Sequence, residues 1–391
     1  MKFKKLKTPL AWLQLTQAKG RLLAAMAGIA FADLLMFMQM GFQDALYESN
    51  TQLHKNLQAD LFLISPQSQT IAYMESFSRR RLYQARGIDG VESVSSLYID
   101  FIRFKNPENR RNRTILVLAF NPHEPVLKLP GIAENINKTQ LPDVVLLDMA
   151  SRPEFGTVEI AEKTAKNQLV NTEIGGSKIK VGGVFKLGNS FAADGNLITS
   201  DLTFLRLFKY KNRRPDQIEV GLIRLQPGAD TQIIQRNLVA KLPKDVRVFS
   251  KQEFIDFEQE HWASSTPIGF IFSLGVIMGF IVGAVIVYQI LYTDVSEHMA
   301  EYATLKAMGY ADIYFLGVVL QEAFILAVIG YTPGFTLSWV LYYLAQNATL
   351  LPITMNVARA FGVLFLTIVM CSMASGFAIV KLRAADPADI F

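Results

Sequence analysis

Residues 263–293 read ASSTPIGFIFSLGVIMGFIVGAVIVYQILYT, 31 positions without one Asp, Glu, Lys or Arg. A helix rises 1.5 Å per residue, so about 20 apolar residues cross the hydrocarbon core of a bilayer. The run is long enough to span a membrane. Three more stretches reach that length: 22–43, interrupted by Asp33; 313–342, interrupted by Glu322; and 360–380, closed by Lys381 and Arg383. Between the first two lie about 220 residues of ordinary polar and charged content, which is a domain rather than a loop.

The rest of the composition agrees with that division. Of 391 residues, 51% are hydrophobic and 19% charged, against about 25% charged in a typical soluble domain. A disordered chain, a coiled coil and an ordinary cytosolic enzyme are excluded on this ground. Cys371 is the only cysteine, so there is no intrachain disulfide and little basis for a Cys-ligated metal. A formal charge of +5 over this length is no argument for nucleic acid.

Basic flanks set the orientation. With the N-terminus in the cytoplasm, residues 1–21, 294–312 and 381–391 lie inside and hold nine Lys or Arg, while the opposite flanks hold only Lys55, Lys251 and Arg359. Segment 294–312 dissents, with Lys306 against Asp294, Glu297, Glu301 and Asp312. The first span is too long for a signal peptide, and Gly41-Phe42-Gln43-Asp44 is no small-x-small cleavage site, so a retained anchor is expected. The expected architecture is a membrane protein with four transmembrane α-helices and a large α+β extracytoplasmic domain inserted between helices 1 and 2. Its parts are an N-terminus 1–21, spans 22–43, 263–293, 313–342 and 360–380, the domain 44–262, an inner loop 294–312, an outer loop 343–359 and a tail 381–391.

Within the domain, 59–64, 95–104, 114–120 and 217–225 read as strands, and 168–186 as a hairpin through Gly175-Gly176 and Gly182-Gly183. Residues 230–242 read as an amphipathic helix with Ile233, Ile234, Leu238 and Leu242 on one side, and 201–208 as another. Catalytic motifs are missing. His54, His123, His261 and His298 are scattered, and neither H-E-x-x-H nor G-x-S-x-G occurs. Residues 183–190, GVFKLGNS, approach a phosphate-binding loop, but Asn189 stands where the Lys belongs, and a plain hairpin is the expectation. Arg79-Arg80-Arg81, Arg110-Arg111-x-Arg113 and Lys211-x-Arg213-Arg214 are basic clusters that fit a solvated surface, an acidic partner or lipid headgroups.

Small residues recur every fourth position in three spans: Ala24, Gly28 and Ala32; Gly275, Gly279 and Gly283; Gly330, Gly334 and Ser338. Such stripes let backbones approach, within one subunit or at a sliding interface alike. Pro333-Gly334 is expected to kink the third span. Asp33 and Glu322 fall near mid-depth with no Lys or Arg inside any span. Intramembrane acids mark function by default; the alternative is a carboxyl hydrogen-bonded to a neighbour such as Gln289 or Gln321. In the inner loop, Val295, Met299, Tyr302, Leu305 and Met308 form one helical stripe that ends at Gly309. Glu297 and Glu301 on its polar side suit a groove on a protein better than an anionic bilayer.

These features resemble the FtsX/MacB-type permeases of ABC transporters, and among them the DevC-type subunits of cyanobacterial exporters. Residues 301–309, EYATLKAMG, resemble the cytoplasmic coupling segment of that family, and Glu322 with the apolar run to Gly330 its next span. Residues 87–94, GIDGVESV, resemble the start of the external domain, 180–184, KVGGV, a later strand, and 385–388, ADPA, the family ending. The resemblance implies a non-catalytic, homodimeric permease in the inner membrane, with both termini cytoplasmic and the large domain periplasmic. It implies an ABC ATPase dimer as partner, holding the ATP, so that no cofactor sits on this chain. It further implies a membrane-fusion adaptor, an outer-membrane channel, surrounding lipid, and spans that transmit motion. With 21 residues before the first span, the ATPase is expected on a separate chain. Glycolipid export is associated with the DevC subgroup. Two other readings remain: an FtsX-like transmitter that activates a cell-wall hydrolase, and a membrane-anchored ligand sensor.

Overall fold

The computed structural model describes residues 10–17, 19–124, 126–211, 214–299, 304, 308–309 and 312–383. The chain divides into two compact units. One comprises the chain up to Asp44, Ile268–Ala348 and the chain from Ile353; the other comprises Ala45–Pro267 with Thr349–Pro352.

The first unit is built of helices. A short helix Leu10–Gln17 precedes four helices long and apolar enough to cross a membrane: Lys19–Asn56, Pro267–Glu297, Asp312–Thr349 and Val357–Arg383. All four run past the spans expected from hydropathy, the fourth by three residues at each end. The first continues well past residue 43, so that its last third falls in the second unit. The second begins at Pro267, where the missing N–H costs nothing, and runs through residues assigned to the inner loop. The third passes through Pro333 and reaches Thr349, inside the loop expected at 343–359.

The glycine stripes explain how these helices meet. A Cβ on Gly279 would stand 3.1 Å from Met36 and 3.4 Å from the Ala32 carbonyl. On Gly283 it would stand 2.7 Å from the Ala32 Cβ, and on Gly330 2.7 Å from the Ile29 Cβ. On Gly334 it would stand 3.1 Å from the Ala30 Cα. The first helix is therefore gripped by the second and third at small residues, and the stripes are contacts within the chain. Ile29, Ala32, Val287, Leu291, Ala323, Leu326 and Met370 form the buried centre.

The second unit is α+β. Its strands are β1 (Leu61–Ile64), β2 (Phe77–Ser78), β3 (Val91–Lys105), β4 (Asn112–Phe120), β5 (Val144–Asp148), β6 (Val170–Ile174), β7 (Ser177–Phe185), β8 (Asn196–Ser200), β9 (Gln217–Ile218), β10 (Val220–Leu225) and β11 (Arg247–Ser250). Nine of them form one sheet in the order β11-β1-β10-β3-β4-β8-β5-β7-β6, mostly antiparallel, with β4–β8 and β5–β7 parallel. The long β3 pairs with β10 over its first half and with β4 over its second. At its end, Phe104 and Lys105 also pair with Ile174 and Glu173 of β6, which closes six strands into a ring. Alternation puts Ile115, Val117 and Ala119 of β4 in one apolar cluster and Leu116, Leu118 and Phe120 in another, so both faces of the sheet are covered.

Helices cover those faces. Asp201–Leu207 starts where the Ser200 hydroxyl accepts from the Thr203 amide, and Thr231–Lys241 where Asp230 accepts from the Gln232 and Ile233 amides. Ile234, Leu238 and Leu242 are buried as expected, but Ile233 is half exposed. Ser250 and Glu253 form a reciprocal capping box on Lys251–Glu260. That helix presents Glu258 to a buried knot: the carboxylate accepts from Thr70 Oγ1, from the Ile71 amide at 2.8 Å and from Trp262 Nε1 at 2.9 Å, with His54 Nε2 3.6 Å away.

Candidate functional site

The motifs in the sheet domain lead to structural roles. After β7, the segment read as a near phosphate loop turns away from the strand, and its Leu187 and Gly188 amides donate to Asp148 at 3.0 and 2.8 Å. Asn196 donates to the same carboxylate at 2.9 Å, and Asn189 donates to the Thr349 carbonyl at 3.1 Å. A built-in carboxylate thus occupies the donors a phosphate would need. Three arginines of the first two basic clusters are paired as well. Arg81 grips Asp245 through two nitrogens, Arg110 meets Glu173 at 3.2 Å, and Arg113 meets Glu154 at 3.1 Å. Arg213 lies outside the described residues. Among the described residues, no group of His, Cys, Asp and Glu is arranged to hold a metal ion.

The chemistry concentrates in the helical bundle, on the first long helix. Arg21, Asp33 and Asp44 sit at three levels, about 18 and about 17 Å apart at 1.5 Å per residue. At the first level, Arg21 pairs with Glu297 at 2.7 Å and Asp294 at 3.6 Å, both on the second helix. At the third, Asp44 accepts from two nitrogens of Arg359 on the fourth helix. Arg359 also donates to the Thr354 carbonyl at 2.9 Å and stands over the Tyr342 ring at 5.3 Å. Tyr342 in turn donates its hydroxyl to the Phe37 carbonyl of the first helix.

Asp33 lies between these two clamps, fully buried. Its Oδ1 accepts from Thr367 Oγ1 of the fourth helix at 2.5 Å, so the partner is a threonine rather than Gln289 or Gln321. Its Oδ2 has no partner among the described residues. Glu322 of the third helix is equally buried, and neither of its oxygens has a hydrogen bond there. Two carboxyls thus sit inside the bundle with three of four oxygens lacking a hydrogen bond among the described residues. An unmet buried acceptor costs about 1–3 kcal/mol, so the arrangement costs stability and is not a packing optimum.

The residues chosen for the coupling segment are only partly brought together. Val295 and Glu297 belong to the second long helix. Val295 is buried against Val319 and Ile379, so it packs the bundle instead of continuing an exposed stripe, and Glu297 is held by Arg21. Met299 is half-buried. Met308 is exposed, and Gly309 has φ 93°, the left-handed conformation of a helix stop. Glu301, Tyr302 and Leu305 lie outside the described residues. The Asp44–Arg359 clamp was missed in the sequence. The signal was present: an acid just after the first span and a base just before the fourth fall at the same end of a four-helix topology.

Comparison with known proteins bears on parts of the chain. No curated protein sequence matches it. Three of the solved structures similar to part of it are the following. One is the periplasmic region of MacB from Actinobacillus actinomycetemcomitans, 10% identical, covering 50% of this chain and 91% of that one, with a TM-score of 0.35. Another is the extracellular domain of the noncanonic ABC-type transporter YknZ from Gram-positive bacteria, 15% identical over 49% and 99%, with a TM-score of 0.33. The third is a domain of a permease protein from Porphyromonas gingivalis, 14% identical over 50% and 89%, with a TM-score of 0.31. Over residues 271–387, the stretch holding the last three long helices, the chain matches the family FtsX-like permease C-terminal.

Proposed function

We propose that the protein is the membrane-spanning permease subunit of an ABC exporter. A separate ATPase dimer binds and hydrolyses ATP, and the helices pass the resulting movement to the sheet domain on the other side of the membrane. The match of residues 271–387 to the FtsX-like permease family carries this reading. The bundle supports it: its charged groups at Arg21, Asp44 and Arg359 clamp helix to helix rather than line a passage, as befits helices that move together. On this reading the termini and the turn around Gly309 are cytoplasmic, and the sheet domain is periplasmic. The working unit is a homodimer in the inner membrane. It meets a periplasmic adaptor and an outer-membrane channel, and the cargo is an envelope amphiphile such as a glycolipid.

The stripe Tyr302, Leu305 and Met308 is the proposed contact with the ATPase. Co-purification of the full chain with its cognate ATPase tests this. Tyr302→Asp and Leu305→Asp should each lose the ATPase while the permease still folds and inserts. Retention of the ATPase by both variants would remove the coupling assignment. Recovery of a cell-wall hydrolase in place of an adaptor would turn the reading toward a transmitter.

A further inference from the structure

On one face of the sheet the core ends before the strands do. Side chains two residues apart share a face, so Val220 and Leu222 of β10 and Leu97 of β3 face one apolar cluster. The same rows continue through Ser95, Ser93 and Arg224, with Leu222 opposite Ser95 and Arg224 opposite Ser93. These polar residues cover no core. They line a cavity of about 290 Å³ with Arg86 and His123. A second hollow of about 410 Å³, walled by Lys55, Lys128 and Lys251, shares Gln58 and Arg224 with the first.

The charges here differ from those of the paired arginines of the basic clusters. Arg81 and Arg113 each have a carboxylate partner. Arg86, Lys128 and Arg224 have none among the described residues, and Arg86 lines the first hollow, Lys128 the second and Arg224 both. Lys55 pairs with Glu48, and Lys251 donates to the Leu57 carbonyl at 3.0 Å. Of the two acids in the walls, Asp60 accepts from the Leu225 amide at 2.8 Å and Glu124 is exposed. Unpaired cations held close together repel, and a multivalent anion relieves that repulsion.

We propose that this double hollow binds a phosphate-bearing ligand, with Arg224 at the junction and Arg86 and Lys128 on either side. Guanidinium groups present paired N–H donors that match phosphate oxygens, and the hydroxyls of Ser93 and Ser95 add donors at the floor. The mostly polar walls suit a phosphate or a phosphorylated polar group rather than an acyl chain.

The test uses the full chain in neutral detergent, titrated with pyrophosphate by calorimetry and, separately, with short-chain phosphatidylglycerol against short-chain phosphatidylcholine. Binding should weaken as salt rises. Arg224→Gln and Arg86→Gln should each weaken it about tenfold or more, the loss of one charge-assisted hydrogen bond. Arg80→Gln, an exposed arginine outside the hollow, should leave it unchanged. Pyrophosphate binding identifies a free phosphate ligand, and binding of phosphatidylglycerol alone identifies a lipid headgroup; either supports the site if the two variants lose it. No binding of either probe, or equal binding by all three variants, overturns it.

Discussion

Asp148 and Glu258 in the sheet domain are as deeply buried as Asp33 and Glu322 in the helical bundle, all four with no exposed surface. Their surroundings differ. Asp148 collects amides from Ala150, Leu187 and Gly188 and the Asn196 side chain; Glu258 collects Thr70, Ile71 and Trp262. Asp33 has one donor, and Glu322 has none among the described residues. In the domain a buried acid ties loops and helices to the sheet. In the bundle a buried acid is left with free acceptors, which suits a group whose partners change as helices shift.

The largest effect should fall on the satisfied acids. Glu258→Ala strands three donors and should destabilise the domain by about 3 kcal/mol or more, at about 1–3 kcal/mol per unmet buried group. Glu322→Gln strands none and should barely move the melting temperature; an equal loss in both would break the contrast. Burial raises the Glu258 carboxyl above its usual value, and its donors pull it partly back. The folded domain therefore holds that proton more tightly than the unfolded chain. Stability attributable to Glu258 is full below the ordinary carboxylate range and falls as pH rises through the raised value. Glu258→Gln should remove that slope from a series of melts across pH.

Gly283→Val comes next. Its side chain meets Ala32 and Met370, and overpacking of this kind costs about 1–3 kcal/mol. Gly362→Ala and Gly376→Ala, with open space around the Cβ, should be near neutral in the same thermal assay. A smaller effect is expected from the Asp44–Arg359 clamp. A double-mutant cycle with Asp44→Asn and Arg359→Gln should give a coupling of about 0.5–3 kcal/mol. The smallest belongs to Arg110→Ala. Its partner Glu173 is held below the usual carboxylate range mainly by Lys105, so removing Arg110 should leave the melting temperature within error of the parent.

The same contrast explains what was legible in the sequence. Runs such as 263–293 announce themselves because lipid demands continuous apolarity, and β3 and β4 because each is long and rich in β-branched and aromatic residues. The short strands β5 (VVLLD) and β8 (NLITS) are buried throughout and show no alternation, so nothing local marked them. The helix Lys251–Glu260 carries a local mark, the S-K-Q-E capping box at 250–253. The levels of Asp33 and Glu322 were readable from spacing along a helix. The choice of Thr367 over Gln289 or Gln321 was not, since it depends on which face of the fourth helix turns toward the first.

The most direct measurement concerns the two under-bonded acids themselves. The full chain carrying Asp33→Asn and Glu322→Gln together is reconstituted with its cognate ATPase in nanodiscs, and ATP hydrolysis and cargo transfer are followed against the parent. Both substitutions keep shape and remove only the carboxyl chemistry. The complex should assemble and melt as the parent does, while cargo-coupled hydrolysis is lost. Unchanged coupling in an assembled complex would contradict the role given to the bundle acids.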